Sequence, residues 1–159
     1  MVSGSRIGLG FDVHRFEDGR PLRLGGVLFE GESGLAGHSD GDVVCHAIAD
    51  GLLGAAGLGD LGEHFPDTDP GLAGIAGPDL LARALDKVRE AGYSAASIDL
   101  TVIAERPSIA PARDAIRMGL AGVLGVASER VSVKATRPEG LGLSGDGVGC
   151  IALVVVSGP

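Results

Sequence analysis

The stretch Arg6-Ile-Gly-Leu-Gly-Phe-Asp-Val-His-Arg-Phe16 alternates between apolar residues and residues that are small or polar. Side chains of a β-strand point alternately to its two faces, so this pattern predicts a strand near the start of the chain. Asp12 and His14 then share one face, and Gly8 and Gly10 on that face leave room above them.

A carboxylate and an imidazole two residues apart on a rigid strand could form half of a metal site. A third candidate ligand is His46, which lies one turn into a helix that opens at Asp42. Three protein ligands with an open fourth position are the pattern of a catalytic zinc site. The alternative for Asp12 and His14 is a solvated ion pair or a turn cap, and the pair alone does not decide between these interpretations.

The composition of the chain limits the classes of function. At 159 residues and 45% hydrophobic content, the sequence predicts a single domain over residues 1–159, large enough to bury a core. Aromatic residues make up 3% and the formal net charge is -8, and both values argue against binding of nucleic acid or a membrane surface. An acidic protein can still bind a phosphorylated small molecule when metal ions supply positive charge.

The two cysteines and the N-terminus indicate the cellular compartment. Cys45 and Cys150 lie in apolar surroundings without a CxxC spacing, which is typical of reduced core thiols. The first residues lack the basic and apolar regions of a signal peptide, and no apolar run reaches the length of a membrane span. We therefore expect a cytoplasmic protein.

The order of predicted elements indicates the fold. Gly25-Gly26 between two short apolar runs predicts a hairpin over residues 21–30. The order as a whole predicts an α/β chain of the α+β type, a two-layer domain with a mixed four-stranded sheet and helices on one face. The other predicted elements are a loop 30–41, a helix opened by Asp42 with Asp40 or Asp42 as N-cap, a loop 59–70, helices from Pro78 and Pro111, and strands 96–105, 131–136 and 149–157.

The last predicted strand, residues 149–157, is a continuous apolar run. Such a run is typical of a strand that is buried on both faces. Little of the chain is left to cover the second face of the sheet. We therefore predict a homo-oligomer that packs around that face.

Two other segments carry polar side chains that suit phosphate chemistry. His38 and Ser39 lie in a glycine-rich loop ahead of a helix whose N-terminal amides could bind phosphate, although an ordinary N-capping loop has the same composition. Thr136, Arg137 and Glu139 follow a strand and provide a hydroxyl, a guanidinium and a carboxylate. These groups suit contact with phosphate and with a hard cation such as Mg²⁺.

Four motifs in chain order together resemble one known family, the 2-C-methyl-D-erythritol 2,4-cyclodiphosphate synthases of the non-mevalonate isoprenoid pathway. The resemblance runs from Arg6 to the C-terminus. Its specific parts are GFDVHRF at residues 10–16, HSDGDVVCHAIADGLLGAAGLGDLG at 38–62, FPDTDP at 65–70, and the KAT and E of KATRPE at 134–139.

The resemblance implies a ring-closing enzyme. The substrate of this family is 4-diphosphocytidyl-2-C-methyl-D-erythritol 2-phosphate, whose own 2-phosphate attacks the β-phosphorus of its diphosphate and releases CMP. The nucleophile therefore belongs to the substrate. The protein then contributes positioning and stabilisation of charge in the transition state.

The same resemblance implies two cation sites. Asp12, His14 and His46 would bind Zn²⁺, with the open position facing a phosphate oxygen of the substrate. Glu139 would bind a second cation, Mg²⁺ or Mn²⁺. Asp50, one turn from His46, is either a partner of that ligand or a carboxylate on the helix surface.

The implied substrate contacts come from two subunits, because the family is a homotrimer with its sites at subunit interfaces. His38 and Ser39 would bind the phosphate and erythritol region, and His38 and Arg137 would stabilise charge in the transition state. One subunit would bind cytidine, and its neighbour would bind the sugar and erythritol portions. Besides these residues, Glu139 and the zinc ligands, the implied contacts are Val13, Asp60, Leu61, Gly62, Phe65, Pro66, Asp67, Thr68, Asp69, Ala104, Pro107, Ser108, Ile109, Ala110, Thr136, Pro138 and Leu143.

Three positions depart from the family pattern. Arg137 stands where a second threonine is usual, and it can still donate to a diphosphate with a different geometry. Ser108 replaces a lysine that is common in the cytidine segment. Asp146 stands near the trimer axis where many relatives have an arginine that helps bind isoprenoid diphosphates, so that ligand is not expected here.

Two other functions remain open at this point. A zinc-dependent phosphodiesterase would use the same ligands but cleave a nucleotide diphosphate with water. A trimeric pathway scaffold would keep the fold without turnover. The intact set of Asp12, His14, His46 and Glu139 argues against the scaffold.

Overall fold

The computed structural model of the protein describes residues 4–142 and 145–159. The predicted substrate contact Leu143 lies outside these described residues. Within them, five strands form one sheet in the order β2-β1-β5-β3-β4. β3 and β4 are parallel, and the other neighbours are antiparallel. The strands are β1 (Ser5–Leu24), β2 (Val27–Leu35), β3 (Ser94–Ile103), β4 (Val131–Thr136) and β5 (Gly147–Ser157).

The prediction of a mixed sheet is confirmed, but the predicted number of four strands is wrong. The hairpin turn lies at Gly25-Gly26 as predicted, and both glycines have positive φ angles of 60° and 79°. β2 continues beyond residue 30 through a segment predicted as loop, and Leu35 pairs with Phe16 of β1. The glycines and charged residues in this part of β2 break the alternating pattern that identifies a strand in the sequence. Pairing with β1, rather than local propensity, stabilises this part of the strand.

Four helices lie within the described residues, and three of them were predicted. They are α1 (Val43–Ala56), α2 (Leu61–His64), α3 (Gly77–Glu90) and α4 (Arg113–Leu124). α2 and a 3-10 turn at Pro70–Leu72 occupy the segment predicted as a loop over residues 59–70. Such one-turn elements are too short to show a helical period in the sequence. No helix in the described part of the chain has the length and apolar character needed to cross a membrane.

The helices cover one face of the sheet, as predicted. Along β5 the side chains alternate, so that those facing the helices are fully buried. The opposite face is apolar and exposed in the single chain, with Ile7 and Leu9 each 67% exposed. Ile151 and Leu153 on β5 are 40% and 42% exposed. The prediction that this strand is buried on both faces is therefore wrong for one chain, because no element of the described residues covers its second face.

Glycines on β1 allow α1 to pack directly on the strand backbone. A Cβ atom at Gly10 would lie 1.7 Å from the carbonyl oxygen of Ala47, and one at Gly8 would lie 1.9 Å from that of Gly51. The room that these glycines leave is thus filled by α1 rather than open. This contact brings the helix close enough for its side chains to reach those of the strand.

We predict that Gly10→Ala destabilises the protein, since the added methyl group overlaps the backbone of α1. The expected loss is about 3 kcal/mol of unfolding free energy, measured by urea titration. Gly54→Ala is the matched control, because Gly54 lies inside α1 with nothing within 4 Å of an added Cβ. That variant should gain about 0.5–1 kcal/mol from helix propensity. Equal effects of the two substitutions would contradict the close packing.

Candidate functional site

Asp12, His14 and His46 meet where β1 and α1 touch. Oδ2 of Asp12 lies 2.9 Å from Nε2 of His14 and 3.0 Å from Nδ1 of His46. One ligand atom of each residue lies within 4.8 Å of the others, and the two rings are 5.5 Å apart at 63°. Two imidazole nitrogens and a carboxylate oxygen that converge in this way fit a divalent metal ion.

The ionisation of this triad follows from its partial burial and its hydrogen bonds. Burial alone would raise the pKa of Asp12, but hydrogen bonds from His14 and His46 hold it well below its usual range. The hydrogen bond to Asp12 in turn raises the pKa of His14 above its usual value, against the effect of burial. Asp12 is therefore an anion at neutral pH and stabilises a proton on His14 when no cation is bound.

The hydrogen bond at Nε2 of His46 supports a role for Nδ1 of the same ring as a metal ligand. Its Nε2 lies 3.0 Å from Oγ of Ser39, which also accepts a hydrogen bond of 3.1 Å from the amide of Gly41. When Nε2 carries the proton and donates to Ser39, Nδ1 keeps a lone pair that faces Asp12 and His14. Metal-binding histidines usually donate their other nitrogen in this way. The side chains of Asp12, His14 and His46 therefore fit a divalent cation.

A pocket of about 230 Å³ opens beside the triad. It is formed by the loop before α1, by α2 and the segment after it, and by the start of α3. The carboxylate of Asp50 accepts a hydrogen bond of 3.0 Å from the amide of Leu61, so it holds α2 rather than His46. The lining residues are Asp12, His14, Gly37, His38, Ser39, His46, Leu61, Gly62, Phe65, Asp67, Leu72, Ile75 and Leu80.

His38 is oriented in this pocket by the segment that follows α2. A ring nitrogen of His38 lies 2.9 Å from the carbonyl oxygen of Asp69, to which it can donate. The carboxylate of Asp69 caps the following 3-10 turn through the amide of Gly71. Asp69 itself does not line the pocket, and neither do the predicted contacts Asp60, Pro66 and Thr68.

Two amides at the start of α1 are bonded within the protein and are not free to bind phosphate. The buried carboxylate of Asp42 accepts hydrogen bonds of 3.1 Å from the amides of Val44 and Cys45, so Asp42 rather than Asp40 is the N-cap. It also accepts from Gly25 and Gly26 at 2.8 and 2.7 Å. Burial raises the pKa of Asp42, and the hydrogen bonds from the amides of Gly26, Gly25 and Cys45 oppose that effect. Asp42 thus caps the helix through two of its amides, and the predicted role of the loop in phosphate binding rests on the side chains of His38 and Ser39, which line the pocket.

A second pocket of about 150 Å³ lies at the ends of β3 and β4. It shares no lining residue with the first pocket, so one chain keeps the two groups of predicted contacts apart. Val13 lines neither pocket, because it lies on the exposed face of β1 and is 46% exposed. The lining residues of the second pocket are Ala104, Pro107, Ser108, Ile109, Ala110, Arg113, Ala135, Thr136 and Arg137.

Glu139 lies two residues after Arg137 of the second pocket and has an unusual backbone conformation. Its φ angle of 56° lies in the left-handed region that favours glycine. The next amide, that of Gly140, donates a hydrogen bond of 3.1 Å to the side chain of Glu105. Such backbone strain is frequent where a side chain must be held in one direction for function. Glu139 and Pro138 do not themselves line either pocket.

Comparison with known proteins agrees with the motifs and the fold. The model of the YgbB family matches residues 5–157. The chain belongs to the YgbB family. A 2-C-methyl-D-erythritol 2,4-cyclodiphosphate synthase from Symbiobacterium thermophilum is 51% identical over 154 residues, which cover 96% of this chain and 98% of the relative. The resemblance inferred from the motifs is thereby confirmed.

Solved structures of the same kind share the fold. A 2C-methyl-D-erythritol-2,4-cyclodiphosphate synthase in its CDP-bound form has a TM-score of 0.89 and 38% identity, with 96% of this chain and 100% of that chain covered. The bifunctional IspDF from Campylobacter jejuni has a TM-score of 0.92 and 41% identity. The match covers 98% of this chain and 43% of the longer bifunctional chain.

Some lining residues of the first pocket were not identified from the sequence. Leu72 and Ile75 lie between predicted elements, and Leu80 lies within the helix predicted from Pro78. Gly37 carries no chemistry, yet a Cβ there would lie 3.3 Å from the ring of His14. The YgbB motifs could have indicated Gly37 through its position next to His38, whereas the apolar residues show no signal distinct from a core.

We predict that the affinity of the triad for a divalent cation, with Zn²⁺ as the probe, rises with pH and levels off above the pKa of His14. A bound cation must displace the proton that Asp12 stabilises on His14, whereas Asp12 stays ionised throughout. Below the raised pKa of His14 the affinity should fall by up to about tenfold per pH unit. Competition with a zinc chelator between roughly pH 5.5 and pH 8 measures this dependence.

Asp12→Asn provides the control for this pH dependence. The amide removes the negative charge that raises the pKa of His14, so the inflection should move to lower pH. The affinity should also fall at every pH because an anionic ligand is lost. An affinity that stays constant from neutral to acidic pH would contradict this set of ligands.

Proposed function

We propose that the protein converts 4-diphosphocytidyl-2-C-methyl-D-erythritol 2-phosphate to 2-C-methyl-D-erythritol 2,4-cyclodiphosphate and CMP, a step in non-mevalonate isoprenoid biosynthesis. Membership of the YgbB family and 51% identity to a synthase of that name support this activity. The observation that carries the proposal is the triad of Asp12, His14 and His46, which opens into a pocket that also holds His38 and Ser39.

The reaction needs no nucleophile from the protein. An oxygen of the 2-phosphate forms a bond to the β-phosphorus, and the bond from that phosphorus to the bridging oxygen breaks. The bridging oxygen and its electron pair leave with CMP. The protein therefore has to align the two phosphorus groups and stabilise the charge that spreads over the phosphate oxygens.

The triad would hold a divalent cation, which we propose to be Zn²⁺. When bound, the cation supplies Lewis-acid stabilisation of a phosphate oxygen and fixes its position. The ligand set of two imidazoles and one carboxylate is typical of zinc in catalytic sites. Asp12 contributes the negative charge that keeps the cation in place near an anionic substrate.

Ser39 is oriented to donate to a phosphate oxygen. Its hydroxyl oxygen accepts from the amide of Gly41 and, in the ligand state, from Nε2 of His46. Both lone pairs are then in use, so the hydroxyl proton is left for another acceptor in the pocket. His38 lines the same pocket, and its ring is held by the carbonyl of Asp69.

Apolar side chains of the first pocket favour attack by the substrate over attack by water. Leu61, Phe65 and Leu72 are among the residues that line this pocket. A site with few waters strengthens the electrostatic interactions within it and limits hydrolysis. This lining favours the cyclase over the phosphodiesterase, which has to admit a water molecule for every turnover.

The second pocket is the proposed cytidine site. Its main-chain segment Ala104–Ala110 offers backbone groups to the base, and Thr136 and Arg137 lie at its edge. The guanidinium of Arg137 can donate to the diphosphate. The strained and exposed Glu139, two residues further on, is the proposed ligand of a second cation, Mg²⁺ or Mn²⁺.

Incubation with the diphosphocytidyl substrate, followed by ³¹P NMR, tests the proposed reaction. We expect a cyclic diphosphate and CMP in equal amounts. His46→Ala should lose at least about 100-fold in turnover because a buried cation ligand is removed. His64→Ala is a matched control, since this histidine lies outside the triad and bonds the carbonyl of Leu58. A linear phosphate product would support the phosphodiesterase, and normal turnover by His46→Ala would contradict the metal site.

We propose that the protein is a homotrimer with its sites at the subunit interfaces. Two features support this assembly. The outer face of β1 and β5 exposes Ile7, Leu9, Ile151 and Leu153 side by side, which is unusual for a stable monomer. The contacts for the erythritol and cytidine ends of the substrate also line separate pockets of one chain. A neighbouring subunit can complete each site.

Mixing two inactive variants tests whether the sites are shared. His46→Ala disables the first pocket, and Glu139→Ala disables the proposed second cation site. In a shared site, randomly mixed trimers should regain about a quarter of the wild-type sites, because some interfaces combine two intact halves. Co-expressed and co-purified variants are compared with each variant alone by the same ³¹P assay. A site within one chain would give no recovery, since every chain then carries a lesion.

A further inference from the structure

The side chain of Arg20 donates hydrogen bonds to the loop that carries His38 and Ser39. Its Nη1 donates to the carbonyl oxygen of Gly37 at 2.7 Å, and its Nη2 donates to the carbonyl oxygen of Ser39. The same Nη1 also lies 3.1 Å from the carboxylate of Glu17. The two carbonyls belong to residues that line the first pocket, whereas Arg20 itself does not line it.

Arg20 lies in the irregular part of β1, between Glu17 and Leu22, and its side chain reaches this loop. The register between β1 and β2 shifts twice between Glu17 and Leu22, which marks a bulge. Bulges commonly redirect a side chain near a functional site. Gly34 of β2 lies against the same place, because a Cβ there would be 2.7 Å from Cβ of Arg20. The hairpin is thus shaped to leave room for the stem of Arg20.

The loop that Arg20 holds reaches two of the triad residues. A Cβ at Gly37 would lie 3.3 Å from the ring of His14, so the backbone passes directly beside that ligand. The hydroxyl of Ser39 lies 3.0 Å from Nε2 of His46. A shift of the loop would therefore move the Ser39 hydroxyl relative to the phosphate and also relax the hydrogen bond that orients His46.

We propose that Arg20 is a positioning residue for this site. It fixes the carbonyls on both sides of His38, so that His38 and Ser39 face the pocket and Ser39 stays on His46. The role rests on the proposed function, since it acts through residues that bind the substrate and the cation. An arginine suits this task because its planar guanidinium donates in two directions at once, whereas a lysine ammonium cannot span both carbonyls with the same geometry.

Arg20→Lys tests the role and Glu17→Gln is its matched control. The lysine keeps the charge but loses the paired contact, and the glutamine removes only the ion pair with Arg20. We expect Arg20→Lys to lower kcat by about 10-fold to 100-fold through misplacement of the loop. The Kd for CMP should stay unchanged, because CMP lacks the β-phosphate that the triad cation and Ser39 would contact, and the proposed cytidine pocket shares no lining residue with this loop. Glu17→Gln should resemble the wild type in both values.

Two further measurements on the zinc-loaded, full-length protein need no substrate. Amide hydrogen exchange over residues 36–41 should become faster in Arg20→Lys but not in Glu17→Gln. Loss of zinc to a chelator should also become several-fold faster, roughly in the range seen when a partner of a metal ligand is removed. Unchanged exchange and unchanged kcat in Arg20→Lys would overturn the proposal. A loss of activity fully accounted for by a lower melting temperature would overturn it as well.

These readouts distinguish a failure of the proposed function from a failure of the proposed role of Arg20. A wild-type protein that forms no cyclic product would refute the proposed function, and the exchange and zinc measurements would still decide whether Arg20 positions the loop. An active wild type together with an unaltered Arg20→Lys variant would refute the role of Arg20 alone.

Discussion

The contact between the backbones of β1 and α1 is the constraint on which the candidate site depends. Gly8 and Gly10 leave no side chain between strand and helix, and Gly51 provides the same close surface from the helix side. Because the two backbones touch, His46 on the helix comes within hydrogen-bond distance of Asp12 on the strand. Any larger residue in this contact would separate ligands that have to lie within a few ångströms of one cation.

A buried carboxylate fixes this contact at one end. Asp42 accepts hydrogen bonds from two amides of α1 and two amides of the turn at Gly25-Gly26. A buried charge is costly unless it is fully hydrogen-bonded, and four amide donors provide that compensation. The start of α1 is therefore tied to the β1–β2 hairpin. His46, one turn further on, is positioned both by this cap and by its own contact of 3.0 Å with Asp12 on the strand.

The elements with a clear period could be predicted from the sequence. The alternation in β1 placed Asp12 and His14 on one face, and His46 was the third candidate ligand from its place in the first turns of a helix; the structure brings the three together. The second half of β2 and the one-turn helix α2 could not be predicted, because long-range pairing and a capping aspartate stabilise them rather than a local pattern. Arg20 gave no signal either, since its contacts cross 17 and 19 residues of sequence.

The apolar sheet face and the separation of the pockets have one common explanation. Both faces of β5 carry apolar side chains, yet one chain buries only the face toward the helices. Selection for solubility alone would place polar residues on the other face. The two pockets of a chain share no residue, although the proposed substrate would have to meet both groups of contacts. Subunits packed around the exposed face would bury the apolar run and set the first pocket of one chain opposite the second pocket of its neighbour.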